Sequence, residues 1–150
     1  LMSEKKPLIA YPGAKKMKQR DIYKLPVDIL IPASVTDVIN ESNKNKIKAK
    51  IIVEAGNIPM REKIEEYFFK KGVLVVPDFL ANGGGVISSY AEHRGYNPKQ
   101  MFEVVKRKIS RITKLVLEKS TKERKSPRKI ALALARKKIR RAMKKRKYTF

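Results

Sequence analysis

Gly72-Val73-Leu74-Val75-Val76-Pro77-Asp78-Phe79-Leu80-Ala81-Asn82-Gly83-Gly84-Gly85 is the stretch that decides how this chain is built. Its apolar run, rich in β-branched side chains and lacking strict alternation, suits a strand buried on both faces, as in a parallel sheet. Consecutive glycines then mark backbone that turns tightly or is closely approached. In open α/β sheets, ligands bind just past the carboxyl ends of the strands, where this loop falls. Working upstream, the same kind of run occurs at Val27-Asp28-Ile29-Leu30-Ile31-Pro32 and at Ala49-Lys50-Ile51-Ile52-Val53-Glu54. Between these runs, residues 34–47 place Val35, Val38, Ile39 and Ile47 among polar residues, with Ser34 or Thr36 as a cap, and predict a helix. Residues 60–71 place Ile64, Tyr67 and Phe68 at helical spacing, closed by Gly72. The order is βαβαβ, so the class is α/β with right-handed crossovers.

Downstream the composition changes. Residues 94–150 hold 22 Lys and Arg against 3 acids, whereas residues 1–93 hold 15 against 11, so most of the formal charge of +23 lies in the last third. Phe102, Val105, Ile109, Ile112 and Val116 recur every three or four residues from Pro98, the mark of one amphipathic helix. Ser126-Pro127 starts a second helix, whose apolar stripe runs through Ile130, Leu134, Ile139 and Met143. The expected organisation is a parallel α/β unit over 1–93 and basic helices over 94–150, with a flexible tail from about 144. With 42% hydrophobic residues the chain has material for a core. Having no Cys, it has no disulfide and no thiolate metal site. No apolar run is long enough for a membrane span or a secretory signal, so a cytoplasmic location is expected.

These strands and the segments after them resemble the glutamate, leucine, phenylalanine and valine dehydrogenase family. The likeness rests on Asp28–Ala33, on Ala49–Asn57 and on Gly72–Val86, in order, and extends from near Tyr11-Pro12-Gly13-Ala14 to about Met143. It implies the second half of a Rossmann-like nucleotide-binding domain followed by the family's C-terminal helices. It also implies that Asn57 and Asn82 face the nicotinamide side of a cofactor, and that Ser89 contacts a substrate carboxylate. The chain departs from the family where Ile58-Pro59-Met60-Arg61 replaces Gly-Pro-Thr-Thr, and where Ala91-Glu92-His93 replaces aromatic-Glu-Trp. The family's Gly-x-Gly-x-x-Gly phosphate turn and the domain bearing its catalytic lysine and aspartate do not occur in these 150 residues.

Those absences and the charge lead to a non-enzymatic expectation: a pseudoenzyme with vestigial Asn57, Asn82 and Ser89 and no cofactor. Twenty-two cations against three anions favour phosphate contact over a solvated, sign-mixed surface. The expected contacts are Arg107, Arg111, Arg124, Arg128, Lys129, Arg136, Lys137, Arg140, Arg141, Lys144, Lys145, Arg146 and Lys147. The expected partners are RNA, foremost ribosomal RNA in a thermophile, and neighbouring proteins of a ribonucleoprotein. A nucleoid DNA-binding protein and a fragment or accessory subunit of an NAD(P)-dependent glutamate dehydrogenase are the alternatives. The carboxylates Glu62, Glu65 and Glu66 are expected to balance Lys63, Lys70 and Lys71 along their own helix. The strand through Ile29 and Ile31 becomes an apolar edge, to be covered by Pro7–Tyr11, by pairing with another chain or by a nucleic-acid surface.

Overall fold

A computed structural model describes residue 7, residues 10–13 and residues 15–145. Three strands, β1 (Ile29–Leu30), β2 (Ile51–Val53) and β3 (Leu74–Val76), form a parallel sheet in the order β1-β2-β3. Leu30 pairs with Ile52 and Ile52 with Val75, so these three residues project from one face. Ile52 and Val75 enter a core with Ile39, Ala49, Met60, Ile64 and Phe68. The alternate residues Val53 and Val76 enter a second core with Leu80, Val116, Ile130 and Ala131 on the opposite face. This two-sided burial explains why the strands read as continuous apolar runs.

Helix α1 (Glu62–Lys70) supplies Ile64 and Phe68 to the first core. It ends in a Schellman motif: Val73 N–H donates to the Phe68 carbonyl, Gly72 N–H to that of Phe69, and Gly72 takes φ +76°. The expected helix over 34–47 does not form. Asn43 Nδ2 donates to the Val38 carbonyl, Asn40 N–H donates to Asn43 Oδ1, and Asn40 Nδ2 donates to the Asp37 carbonyl. Such short polar side chains offer the backbone an alternative to helix, leaving turns and a single 3-10 turn at Lys44–Lys46.

The triple glycine is also not a loop. After a short α2 (Asp78–Ala81), the chain enters α3 (Gly84–His93), and Gly83 and Gly84 let it close on α4 (Pro98–Glu123). A Cβ on Gly84 would sit 3.1 Å from Val105 Cγ1. Helix α4 begins with a capping box, in which Gln100 N–H donates to Asn97 Oδ1 and Asn97 N–H donates to Gln100 Oε1. It ends at Arg124 with φ +52°. Helix α5 (Pro127–Lys145) then lays Ile130 and Ala131 against β3. The expected apolar stripes are only partly used: Phe102, Ile139 and Met143 are exposed, because α4 and α5 extend past the sheet that would cover them.

The strand β1 has no partner on its outer side among the described residues. Residues 8 and 9 of the segment expected to cover it, and 146–150 of the expected tail, lie outside the described residues. Among the described residues no helix is long and apolar enough to cross a membrane.

Candidate functional site

The backbone leaving β2 and β3 converges at the carboxyl edge of the sheet. Gly56 N–H donates to the Pro32 carbonyl at 2.9 Å, and a Cβ there would meet the Ser34 carbonyl oxygen at 3.1 Å, so glycine permits this close approach. Asn57 follows, its own carbonyl accepting from Thr36 Oγ1 at 3.2 Å. Asn82, at the end of α2, donates from Nδ2 to Asn57 Oδ1 at 2.7 Å. Two of the three family-implied residues are therefore brought together across 25 residues of sequence. Asn57 is exposed and Asn82 half-buried. Asn57 Nδ2 and Asn82 Oδ1, one donor and one acceptor, engage no side-chain or backbone partner among the described residues. Ser89 is exposed on α3, with its hydroxyl donating to the Gly85 carbonyl at 3.2 Å, and does not join the amide pair.

Ile58, where the family has Gly, takes φ +48°. That left-handed conformation strains a β-branched residue and suits glycine. Its N–H donates to Asp78 Oδ2 at 3.0 Å. Asp78 Oδ1 in turn accepts from Arg128 Nη2 at 2.8 Å. Arg128 Nε donates to both oxygens of Glu65, at 2.6 and 2.8 Å, and Nη2 lies 3.4 Å from Glu54 Oε2. The guanidinium also stacks over Phe79 at 5.1 Å. Glu54, Glu65 and Asp78 are all buried. Burial pushes the Glu65 carboxyl up despite the guanidinium. Burial also acts upward on Asp78, but the Ile58 N–H and Arg128 outweigh it and hold the group below the usual carboxylate range.

Arg128 is therefore turned inward rather than presented to a phosphate: its Nε and Nη2 donors engage three acidic side chains. Lys129 pairs with Glu66 at 2.6 Å, and Ser126 Oγ donates to the same carboxylate. Glu65 and Glu66 of α1 thus hold α5, rather than pairing with the lysines beside them as their spacing suggested. Arg124 caps α4 in the left-handed conformation. Arg107 and Arg111 on α4, and Arg136, Lys137, Arg140, Arg141 and Lys144 on α5, are exposed, and none meets a carboxylate among the described residues. Arg146, Lys147 and the Lys145 side chain lie outside the described residues. The inward turn of Arg128 was foreshadowed only weakly, by its place one residue after Pro127 at the start of the helix that packs on the sheet.

The profile of the Glutamate/Leucine/Phenylalanine/Valine dehydrogenases matches residues 1–147. The chain belongs to this family. It is 51% identical over 82 residues to the glutamate dehydrogenase of Aeropyrum pernix, covering 55% of this chain and 20% of the relative. It is 45% identical over 85 residues to the NADP-specific glutamate dehydrogenase of Saccharolobus shibatae, covering 57% and 20%. Among solved structures, L-tryptophan dehydrogenase from Nostoc punctiforme matches with a TM-score of 0.77 and 28% identity, over 88% of this chain and 40% of that one. The hetero-hexameric glutamate dehydrogenase of Thermus thermophilus matches with a TM-score of 0.71 and 25% identity, over 82% and 31%. This dehydrogenase-family chain spans about a fifth of the length of the curated relatives it matches.

These findings correct the expectation drawn from charge. Likeness to a family of dehydrogenases over nearly the whole chain replaces the RNA-binding, ribosomal and pseudoenzyme reading, and the nucleoid alternative with it. A family of enzymes likewise overturns the expectation of a chain outside enzymatic function. The excess of cations was a true observation, but positive charge alone does not identify a partner.

Proposed function

We propose that this chain is part of an NAD(P)-dependent amino-acid dehydrogenase of the glutamate type and supplies the nicotinamide side of its dinucleotide site. The observation that carries the reading is the 2.7 Å hydrogen bond between Asn82 and Asn57, at the carboxyl edge of adjacent parallel strands. The pair leaves one donor and one acceptor without a partner among the described residues, the complement of a primary carboxamide such as that on nicotinamide. When bound, the nicotinamide ring exchanges a hydride with the substrate carbon. Here the protein's part is orientation: two amides fixed to each other and to the sheet present a pre-organised pair of hydrogen-bonding groups. Ser89, exposed on α3, is proposed to meet the substrate carboxylate. The pyrophosphate turn and the catalytic lysine and aspartate would come from sequence beyond these 150 residues, in keeping with the share of its relatives that the chain spans.

Saturation-transfer NMR on the purified chain with NADH and NADPH tests this reading, because it detects weak binding to half a pocket. Transfer to the nicotinamide protons, lost in Asn82→Ala, is the expected result. No transfer from either cofactor, or transfer confined to the adenine, would overturn it.

A further inference from the structure

The most heavily engaged side chain outside the amide pair is Arg128, and its contacts lead back to that pair. It arises on α5, 50 residues after Asp78 and 70 after Ile58, yet a continuous set of bonds joins them. Asp78 uses one oxygen for each neighbour, accepting from Arg128 at Oδ1 and from the Ile58 N–H at Oδ2. Asp78 also accepts the Asn82 N–H at its carbonyl, 2.8 Å away, so it anchors the turn that carries the second amide. One residue therefore touches both arms of the pair: Ile58, next to Asn57, by its side chain, and Asn82 by its backbone.

We propose that Arg128 is a positioning residue of the dinucleotide site, which through Asp78 holds the loop of Asn57 and Ile58 against the turn of Asn82. The proposal rests on the reading of that pair as the nicotinamide site. Three observations support it. Ile58 sits at φ +48°, a conformation its own side chain does not favour and, being 43% exposed, does not secure by packing. From the β1 side the loop is tied by Asp37 N–H donating to the Ile58 carbonyl and by Thr36 to that of Asn57. From the β3 side, apart from Asn82 itself, the tie among the described residues is Asp78. Arg128 in turn fixes the Asp78 carboxylate: its planar fork spans Glu65 and Asp78 at once, which the single ammonium of a lysine does not reproduce.

Mere docking of α5 is separable from this role. Lys129, the next residue, ties α5 to α1 through Glu66 and has no bond toward Asp78, Ile58 or either amide. The test uses the ¹⁵N-labelled chain with Arg128→Lys, and with Lys129→Ala as the comparison. In Arg128→Lys the side-chain amide resonances of Asn57 and Asn82 should shift. Hydrogen exchange at the Ile58 amide should speed up about tenfold or more, and NADH affinity should fall about tenfold. Lys129→Ala should leave all three at wild-type values. Should Arg128→Lys fail to fold, Asp78→Asn, which keeps the shape but offers one acceptor oxygen to two donors so that one of the two bonds is lost, is expected to show the same shifts and faster exchange. A wild-type chain that binds no dinucleotide would bring down the functional reading and this proposal with it. Binding by wild type, with Ile58 exchange and the amide resonances unmoved in the folded variant, would overturn the proposal alone. Equal effects from Lys129→Ala would also overturn it, reducing Arg128 to a residue that docks a helix.

Discussion

Burial, reinforced by the nearby Glu65 charge, pushes the Glu54 carboxyl up to about 8. Its Oε2 accepts the Asp78 N–H at 2.9 Å, while Oε1 is buried without a partner among the described residues and is the natural seat of a proton. The unfolded chain releases that proton near the ordinary glutamate value of about 4.3. Between there and about 8 the native state holds more protons than the unfolded state, so Glu54 lowers stability progressively as pH rises through this window. Glu54→Gln keeps an acceptor for Asp78 and removes the titration. We expect it to be more stable than wild type by about 1–3 kcal/mol at pH 8, and by much less at pH 5, in denaturant titrations. A gap independent of pH would show that Glu54 stays ionised beside Arg128. None of this was legible from spacing along the chain, because 74 residues separate Glu54 from Arg128 and each looked ordinary beside its local neighbours. Asn57 and Asn82 were legible only through family resemblance; as isolated residues they are common turn formers.

Elements were readable where one force dominated. The three strands and α1 appear where the apolar runs and Gly72 predicted them, since double-sided burial and a left-handed helix end leave local marks in sequence. Residues 34–47 misled because their apolar spacing was helical while Asn40 and Asn43 captured the backbone. The glycines after β3 were read as backbone that turns tightly or is closely approached, within a loop; the close approach is there, between α3 and α4, but Gly84 and Gly85 lie in helix rather than loop. At the other end of α4, Arg124 occupies the position that glycine usually takes, with φ +52° and ψ +40°. Its side chain is exposed and forms no ion pair among the described residues, so little is lost with it. Arg124→Gly removes the left-handed strain at the cost of some added freedom in the unfolded chain. A net gain of about 0.5–1 kcal/mol is expected in chemical denaturation. A loss of stability would mean that the Arg124 side chain holds the α4–α5 corner by contacts not evident in its geometry.

At the scale of the molecule, the sheet is covered unequally. On the face that bears Val53 and Val76, α4 and α5 supply Val116, Ile130 and Ala131. Register places Ile29 beside Ile51, and alternation puts Ile29 and Ile31 on this same face. There the cover stops: Ile29 is 53% and Ile31 58% exposed, beside the outer edge of β1, which has no strand partner among the described residues. An apolar face next to an open edge favours association with another sheet or strand. The chain's charge of +23 opposes bringing two copies together. These opposing terms give the prediction its sign. If the bare face drives association, added salt screens the repulsion and strengthens it, whereas contacts between opposite charges weaken with salt. In sedimentation velocity, the purified chain should therefore shift to larger species as salt and concentration rise. Ile29→Lys together with Ile31→Lys, by charging the bare face without touching either core, should return it to monomer. A monomer at every salt concentration would show that the bare face does not drive association, and dissociation by salt would place the contact on the basic helices instead.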